Sequence, residues 1–327
     1  MTGTLAVTFE LTGDARSIVA EALGGAARIE SIAGLDAAAR IRTLRDAQVV
    51  LARNPARELS AEERASLSNV ALLQLIPAGV DFIPIGELPA GVPVASNAGA
   101  YSEPMAEHAL AMILAAAKRL FVEHAALARG EFNQHTPNRM LAGMTCGIFG
   151  FGSIGRATAR LLRAFGTRIH AVNRSGRSSE PVDWIGTTGQ LGTMLPACDV
   201  LVIAAPLTRS THGLIGAHDL ATMKPDAILV NLARGEIIDE GALFAHLQAH
   251  PQFTACIDAW WVEPVRHGSF RMDKPFMTLP NVIASPHNSA SVAQTGVAAL
   301  RYAALNCRRA FVGEAVQNLV GPDDRYL

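Results

Sequence analysis

The chain has 327 residues, of which 50% are apolar and 17% are charged, and its formal net charge is −1. This composition supplies a large buried core and argues against intrinsic disorder, and the balanced charge, with no basic run, argues against nucleic-acid binding. The length favours two domains.

The cysteines and the first segment bear on the compartment. The segment MTGTLAVTFELTGD has no charged leader, and the longest apolar run, near residues 109–117, is too short to span a membrane. A cytoplasmic protein that contacts no membrane is therefore expected. Because the cysteines are far apart and form no CxxC or Cys/His pair at metal spacing, they are expected to be reduced core residues, and no metal is expected. They are Cys146, Cys198, Cys256 and Cys307.

Short strands and helices alternate from residue 1 to about 97. LAVTFE predicts a strand and ARSIVAEAL a helix, and VVLAR, ALLQLI and VPVAS predict further strands, each closed by Pro, Gly or Asn. Residues 102–130, rich in Ala and Leu, predict one long helix that Ser102 caps and Gly130 ends. Its apolar residues surround it, which indicates burial between domains or subunits.

A second series of strands begins near Thr145. Its apolar runs show no alternation, which is typical of parallel strands buried on both faces, and segments such as EGALFAHLQAH predict helices between them. The runs are TCGIFGF, TRIHAVN, CDVLVIAAP, AILVNLA, TACIDAW and NVIASPH. This order predicts a doubly wound α/β domain, followed by a last helix in ASVAQTGVAALRYAALNCRRAF.

A glycine-rich turn follows the first strand of this series and opens a helix. A G-x-G-x-x-G motif in that context is typical of dinucleotide binding, because the glycines permit a tight turn, close approach of a pyrophosphate and close packing of helix on strand. The pyrophosphate would lie on the free N–H groups at the positive end of the helix. A turn without a ligand is the alternative. The motif consists of Gly150, Phe151, Gly152, Ser153, Ile154 and Gly155.

The residues after the second strand bear on the choice of cofactor. About 20 residues after the glycines, where a carboxylate normally binds the ribose 2′-hydroxyl, the chain has Asn173, Arg174 and Ser175. Arg174 can pair with a 2′-phosphate and Ser175 can donate to it, and each such hydrogen bond contributes roughly 1.5–3 kcal/mol. NADP is therefore predicted as the preferred cofactor, with NAD possible. Alternatively Arg174 is a solvated loop residue and Asn173 serves the ribose of NAD; Arg177 is a weaker candidate for the phosphate.

Three residues with suitable chemistry follow predicted strands: Arg234, Glu263 and His287. The C-terminal ends of parallel strands meet at one edge of the sheet, which the glycine turn also faces. A histidine can protonate a carbonyl oxygen, a glutamate can orient it and favour its protonated form, and an arginine can clamp a carboxylate. The three together suit a 2-oxo acid, although each alone is more often a surface, turn or loop residue.

The chain resembles the D-isomer-specific 2-hydroxyacid dehydrogenase family. The similarity is specific for the family and much less so for the substrate, and its segments run in the family's order over nearly the whole chain. They are AGVD, MAEHAL, GIFGFGSIGRATARLLRAFG, CDVLVIAAPLT, MKPDAILVNLARGEIIDEGAL, ACIDAWWVEP and LPNVIASPH.

The resemblance implies a role for each matching residue. Arg234 would bind the substrate's carboxylate and carbonyl, His287 would act as general acid in reduction and base in oxidation, and Glu263 would orient it. The backbone N–H groups of Ala78 and Gly79, in the loop LIPAGVD, would also receive the carboxylate. Further residues would line the cofactor beside the glycine turn and the 173–175 segment, together with the catalytic Arg and His: Pro206, Thr211, Leu232, Ala233 and Asp258, the last holding the nicotinamide carboxamide.

The resemblance also implies the architecture. A Rossmann cofactor domain of residues 98–288 would be inserted into a smaller flavodoxin-like α/β substrate domain made of residues 1–97 and 289–327. Family members are usually dimers, so a homodimer is expected, with its contact at the helix that follows Ser102.

The expected function is an NADPH-preferring reductase of small 2-oxo acids, of the glyoxylate or hydroxypyruvate type, that yields a D-2-hydroxy acid. One alternative is a D-lactate-type or bulkier 2-hydroxyacid dehydrogenase that uses NAD; another is a dinucleotide-sensing, corepressor-like binding protein. Arg266, His267 or Arg271 could reach a second acidic group of a substrate, or belong to a solvated loop. His108, which follows Glu107 in the long helix, is interpreted as a satisfied helix residue.

Overall fold

Two groups of parallel strands divide the chain. The computed structural model describes residues 3–324. One unit contains the described residues up to Tyr101 and from Val292 onwards, and the other is Ser102–Ser291. The sequence placed the boundaries near residues 97 and 289. The assignment of substrate to the first unit and cofactor to the second stays a prediction.

The first unit is built on a five-stranded sheet in the order β2-β1-β3-β4-β5, as far as the chain is described, and each neighbouring pair is parallel. This is the flavodoxin-like order, and the fold predicted for this unit is confirmed. Its strands are β1 (Gly3–Val7), β2 (Ala27–Ser31), β3 (Val49–Ala52), β4 (Leu72–Leu75) and β5 (Val94–Ala95). Its helices are α1 (Gly13–Leu23), α2 (Ala37–Asp46), α3 (Pro55–Glu58), α4 (Ala61–Ala65) and α12 (Thr295–Val312).

The second unit is built on a seven-stranded parallel sheet, counted over the described residues, in the order β12-β11-β10-β9-β6-β7-β8. The order reverses next to β6, as in the Rossmann fold, and this prediction is also confirmed. The strands are β6 (Thr145–Phe149), β7 (Arg168–Val172), β8 (Trp184–Gly186), β9 (Val200–Ile203), β10 (Ile228–Asn231), β11 (Thr254–Ile257) and β12 (Val282–Ala284). The helices are α5 (Ser102–Ala117), α6 (Leu120–Ala128), α7 (Ser153–Ala164), α8 (Leu191–Met194), α9 (Ala217–Thr222), α10 (Glu240–Ala249) and α11 (Pro264–His267).

Burial explains which strands the sequence revealed. Every residue of β6, β9 and β10 is buried, which confirms the interpretation of continuous apolar runs as strands covered on both faces. The two strands that were missed, β2 and β8, each lie at one edge of their sheet and are only partly buried. An edge strand tolerates polar residues, so it need not carry an apolar run, and these two do not.

The prediction of one long helix over residues 102–130 is wrong. The helix breaks between Ala117 and Leu120, where Arg119 adopts a left-handed φ of 54°. At this break the Arg139 N–H donates to the carbonyl of Ala117, and the Lys118 side chain donates to the carbonyl of Arg139. The hydroxyl of Ser102 caps nothing: it is buried and finds no hydrogen-bond partner among the described residues.

The four cysteines are buried free thiols, as predicted. Burial raises the pKa of Cys146 and of Cys198 to about 12, so neither thiol is a ready nucleophile.

Within residues 3–324 there is no group of three His, Cys, Asp or Glu side chains that could hold a metal ion, and no helix is long and apolar enough to cross a membrane.

Candidate active site

The C-terminal ends of β6, β10, β11 and β12 carry the glycine turn and the three predicted catalytic residues. In a doubly wound sheet, these ends and the switch in strand order form the usual ligand-binding edge. The glycine turn follows β6, Arg234 follows β10, Glu263 follows β11 and His287 follows β12.

The glycine turn is forced by close packing. Gly150 has a φ of 98°, and a Cβ there would lie 2.2 Å from the backbone nitrogen of Ala205. A Cβ at Gly155 would lie 2.5 Å from the carbonyl oxygen of Gly150. The N–H groups of Gly150 and Phe151 both donate to the carbonyl of Val172, which fixes the turn against β7. The side chain of Phe151 packs in the core, so it offers only its backbone to a ligand.

The same turn fits a pyrophosphate. A Cβ at Gly152 would meet no atom of the described protein within 4 Å, so this glycine is not explained by packing. Helix α7 starts at Ser153, and the N–H groups of Ser153, Ile154 and Gly155 have no acceptor within the helix. An anion beside Gly152 would meet these groups and the positive helix end.

Asn173 organises the loop after β7. Its Oδ1 accepts from the Gly176 N–H at 2.8 Å and the Ser175 hydroxyl at 3.3 Å, and its Nδ2 donates to the Arg177 carbonyl at 2.8 Å. The amide therefore shapes this turn from within. Arg174, Ser175 and Arg177 are exposed along it, and no carboxylate stands among residues 173–177.

His287 and Glu263 form a close pair. The Nδ1 of His287 lies 2.8 and 2.7 Å from the two carboxyl oxygens of Glu263, and the Trp260 N–H donates to the same carboxyl at 2.7 Å. Burial pushes the pKa of Glu263 upward, but the hydrogen bond and charge of His287, the Trp260 N–H and the charge of Arg234 outweigh it and hold that pKa below its usual range. Glu263 is thus ionised at neutral pH, and Nε2 is the nitrogen of His287 left for a substrate.

The backbone at His287 is strained. Its φ is 49°, in the left-handed region that residues other than glycine rarely adopt. Asp258 holds it: its carbonyl accepts the His287 N–H at 2.9 Å, and its carboxylate accepts the N–H groups of Asn288 and Ser289 at 3.1 and 3.3 Å. The Asp258 side chain is 0% exposed. Its expected contact with a carboxamide stays a prediction; the partners that it has here lie within the protein.

Arg234 is placed by two residues that the sequence did not single out. The Nδ2 of Asn231 donates to the Arg234 carbonyl at 2.9 Å, and its Oδ1 accepts from the Ala233 N–H. A Cβ at Gly235 would lie 2.4 Å from the backbone of Trp260, so the turn after β10 touches the turn after β11 directly. This contact brings the charge of Arg234 close enough to lower the pKa of Glu263.

The remaining predicted cofactor residues differ in exposure. Pro206 is exposed, whereas Thr211 is buried and donates its hydroxyl to the Pro206 carbonyl at 2.8 Å, so it shapes the loop. The Leu232 side chain is in the hydrophobic core, and Ala233 is partly exposed beside it.

In the first unit, Ala78 and Gly79 are partly buried in the loop after β4. That loop is anchored just before them, because the carbonyls of Ile76 and Pro77 accept hydrogen bonds from Asn97, and Ile76 accepts another from Tyr101. A fixed loop of this kind could present backbone N–H groups, but their contact with a substrate stays a prediction.

The cationic loop after Glu263 has partners of its own within the protein. Arg266 pairs with Glu236 at 2.5 Å, and the two side chains are only 10% and 15% exposed. The Nδ1 of His267 accepts from the Glu263 N–H at 3.0 Å, and Arg271 pairs with Asp273. Arg266 is therefore held within the protein, whereas His267 and Arg271 are exposed, as expected of a solvated loop. A contact of any of the three with a substrate stays a prediction.

Comparison with known proteins identifies the family. The family model described as D-isomer specific 2-hydroxyacid dehydrogenase, NAD binding domain, matches residues 110–289. The chain belongs to the D-isomer-specific 2-hydroxyacid dehydrogenase family. The match covers the glycine turn and all three residues of the Arg234, Glu263 and His287 set.

Individual members of the family resemble the chain at moderate identity. Hydroxypyruvate reductase of Thermotoga maritima is 30% identical over 248 residues, 75% of this chain and 79% of the relative. D-3-phosphoglycerate dehydrogenase of Methanocaldococcus jannaschii is 29% identical over 96% of this chain, which spans only 58% of that relative's length. A crystal structure of a family member from Xanthobacter autotrophicus Py2, in complex with NADPH and MES, has a TM-score of 0.79 at 26% identity and covers 98% of this chain and 99% of that one.

Two glycines of the motif are expected to respond differently to alanine. Gly150→Ala combines a left-handed φ with a backbone clash and should destabilise the fold by about 2–6 kcal/mol. Gly152→Ala should change stability by less than about 1 kcal/mol, yet weaken dinucleotide binding at least about tenfold, or 1.4 kcal/mol. Thermal unfolding and cofactor titration of both variants test this; tight binding by a stable Gly152→Ala protein would contradict the pyrophosphate site.

Proposed function

We propose that this family member is an NADPH-preferring reductase of small 2-oxo acids, of the glyoxylate or hydroxypyruvate type, that forms the D-2-hydroxy acid. The observation that carries the proposal is the His287–Glu263 pair, held beside the charge of Arg234 at the same sheet edge as the glycine turn. The name of the Thermotoga maritima relative supports the substrate class.

Each residue of the set has a separate task in this proposal. When bound, the dinucleotide supplies or accepts the hydride. His287 holds a proton at Nε2 and gives it to the carbonyl oxygen during reduction, and takes it back during oxidation. Glu263 fixes the ring through Nδ1 and balances its positive charge, while Arg234 binds the carboxylate of the substrate. Ala78 and Gly79 are proposed as further backbone donors to that carboxylate.

The role of His287 is tested by its removal. His287→Ala should lower kcat by about 10²–10⁴-fold with glyoxylate, because a positioned acid is lost. Its dissociation constant for NADPH should remain close to that of the wild type. Glu263→Gln, which keeps a hydrogen-bond acceptor but loses the charge, should give a smaller loss. A near-normal kcat for His287→Ala would refute the mechanism.

NADP preference is proposed from the loop after β7. Asn173 shapes a turn that carries Arg174 and contains no carboxylate to repel a 2′-phosphate. The Ser175 hydroxyl donates to Asn173 and would have to rotate to donate to the phosphate. The bound NADPH of the Xanthobacter autotrophicus relative is in line with this preference.

Substitution of Arg174 separates the two cofactors. Arg174→Ala should weaken NADPH by about tenfold or more, since a charge-assisted hydrogen bond of roughly 1.5–3 kcal/mol is lost, and should leave NADH unaffected. Arg177→Ala is the matched control and should have the smaller effect. Equal losses for NADPH and NADH with Arg174→Ala would show that the side chain does not read the phosphate.

One experiment distinguishes the proposed reductase from the two alternative functions. Initial rates with glyoxylate and hydroxypyruvate are measured with NADPH and NADH in parallel. Turnover with NADH alone, or only with bulkier 2-oxo acids, would favour the NAD-dependent dehydrogenase. The name of the Methanocaldococcus jannaschii relative supports testing a larger substrate. Tight NADPH binding without turnover of any 2-oxo acid would favour the dinucleotide sensor.

A homodimer is proposed through α6. Leu120, Phe121 and Leu127 are 57%, 59% and 56% exposed, and Phe132 and Met140 nearby are more exposed still. Large apolar side chains that cluster at a surface usually mark an interface. The break at Arg119 is what separates this exposed helix from the buried α5.

Charge on this face should dissociate the dimer. The wild type should elute with twice the chain mass of 34.5 kDa in size-exclusion chromatography with light scattering, and Phe121→Glu with Leu127→Glu should elute as the monomer. Met277→Glu, at a position that is equally exposed elsewhere on the unit, is the control and should remain dimeric. A wild-type monomer would refute the assignment.

A further inference from the structure

A chain of hydrogen bonds runs from helix α5 to the turn that carries His287. The Nε2 of His108 lies 3.0 Å from the Oγ of Ser285, which follows β12 directly. The Ser285 hydroxyl donates to the Oδ1 of Asp258 at 2.5 Å. His108 itself comes within 3.9 Å of that oxygen, and its side chain is 26% exposed. This contact bears out the interpretation of His108 as a satisfied helix residue and shows which group it binds.

The protons along this chain have only one consistent arrangement. A serine hydroxyl carries a single proton, and an ionised carboxylate can only accept. The proton of Ser285 therefore points to Asp258, and its oxygen must accept from His108. His108 thus acts as a donor through Nε2, and it fixes the rotation of the hydroxyl that faces Asp258.

Asp258 is the point at which this chain meets the catalytic turn. The same carboxylate accepts the N–H groups of Asn288 and Ser289, and the Asp258 carbonyl accepts the N–H of His287. These contacts oppose the strain of the left-handed φ at His287. A carboxylate free to turn would hold the two N–H groups less well, so its orientation matters for where the imidazole lies.

We propose that His108 is a positioning residue for His287, acting through Ser285 on the buried carboxylate of Asp258. The proposal rests on the proposed reductase function for its effect on the rate, but its effect on the turn does not depend on any activity. His108 touches neither reacting group in this proposal, so its removal should disturb the placement of the acid more than the binding of the dinucleotide.

The test compares three full-length variants with the wild type. His108→Leu keeps apolar bulk and loses the donor, His108→Gln restores an N–H that can reach Ser285, and Glu107→Ala removes an exposed neighbour on the same helix as the control. The readouts are kcat and KM with NADPH and glyoxylate, thermal unfolding, and hydrogen exchange of the backbone amides of residues 287–289.

The Leu variant should lose about three- to tenfold in kcat, as expected for one hydrogen bond of roughly 0.5–1.5 kcal/mol. Its KM for NADPH should change by less than kcat, and the amides of His287, Asn288 and Ser289 should exchange faster by a factor similar to the loss in kcat. The Gln variant should recover most of both losses, and Glu107→Ala should match the wild type.

Two results would overturn the proposal. One is a Leu variant with wild-type kcat and wild-type exchange; the other is a Gln variant no better than Leu, which would mean that shape and not the hydrogen bond matters. A wild type that reduces no 2-oxo acid would refute the proposed function instead, and exchange at residues 287–289 would still decide the role of His108.

Discussion

The hydrogen bonds between the buried carboxylate of Asp258 and the turn that follows β12 determine where His287, the proposed acid, lies. Asp258 binds the N–H groups that follow His287, and its carbonyl binds His287 itself. A left-handed residue other than glycine costs of order 1–3 kcal/mol, whereas each hydrogen bond to a charged group returns roughly 1.5–3 kcal/mol. The strained turn is therefore stable in the folded protein, and only there, because Asp258 and His287 are brought together by the pairing of β11 with β12.

The charge state of Glu263 also depends on how the ends of the strands pack together. A buried carboxyl group tends to be neutral, yet Glu263 has three sources of compensation in His287, the Trp260 N–H and Arg234. Two of them come from other strands, and Gly235 allows the backbone contact that brings the charge of Arg234 near. The ionised state of Glu263 is thus a property of the packed sheet edge and not of its local sequence.

The sequence predicted most of the frame, and it predicted that Arg234, Glu263 and His287 follow strands that end at one edge of the sheet, for physical reasons. Fully buried strands have apolar runs and the glycine turn has a spaced motif, so a local sequence pattern predicts both. The edge strands β2 and β8 have no such pattern. Arginine is a good helix former, so nothing marked the break at Arg119. Ser285 lies 27 residues from Asp258 and 177 from His108, and contacts over such separations have no local pattern.

Residues 268–275 are held by contacts different from those that hold His287. Phe270 meets Trp260 edge to face, and Phe276 beyond it stacks on Trp261, while the Trp260 indole N–H binds the Ser285 carbonyl. Aromatic packing tolerates changes of shape that a hydrogen-bonded carboxylate does not. Changes of length or composition in this segment should therefore leave the hydrogen bonds of the turn that carries His287 in place.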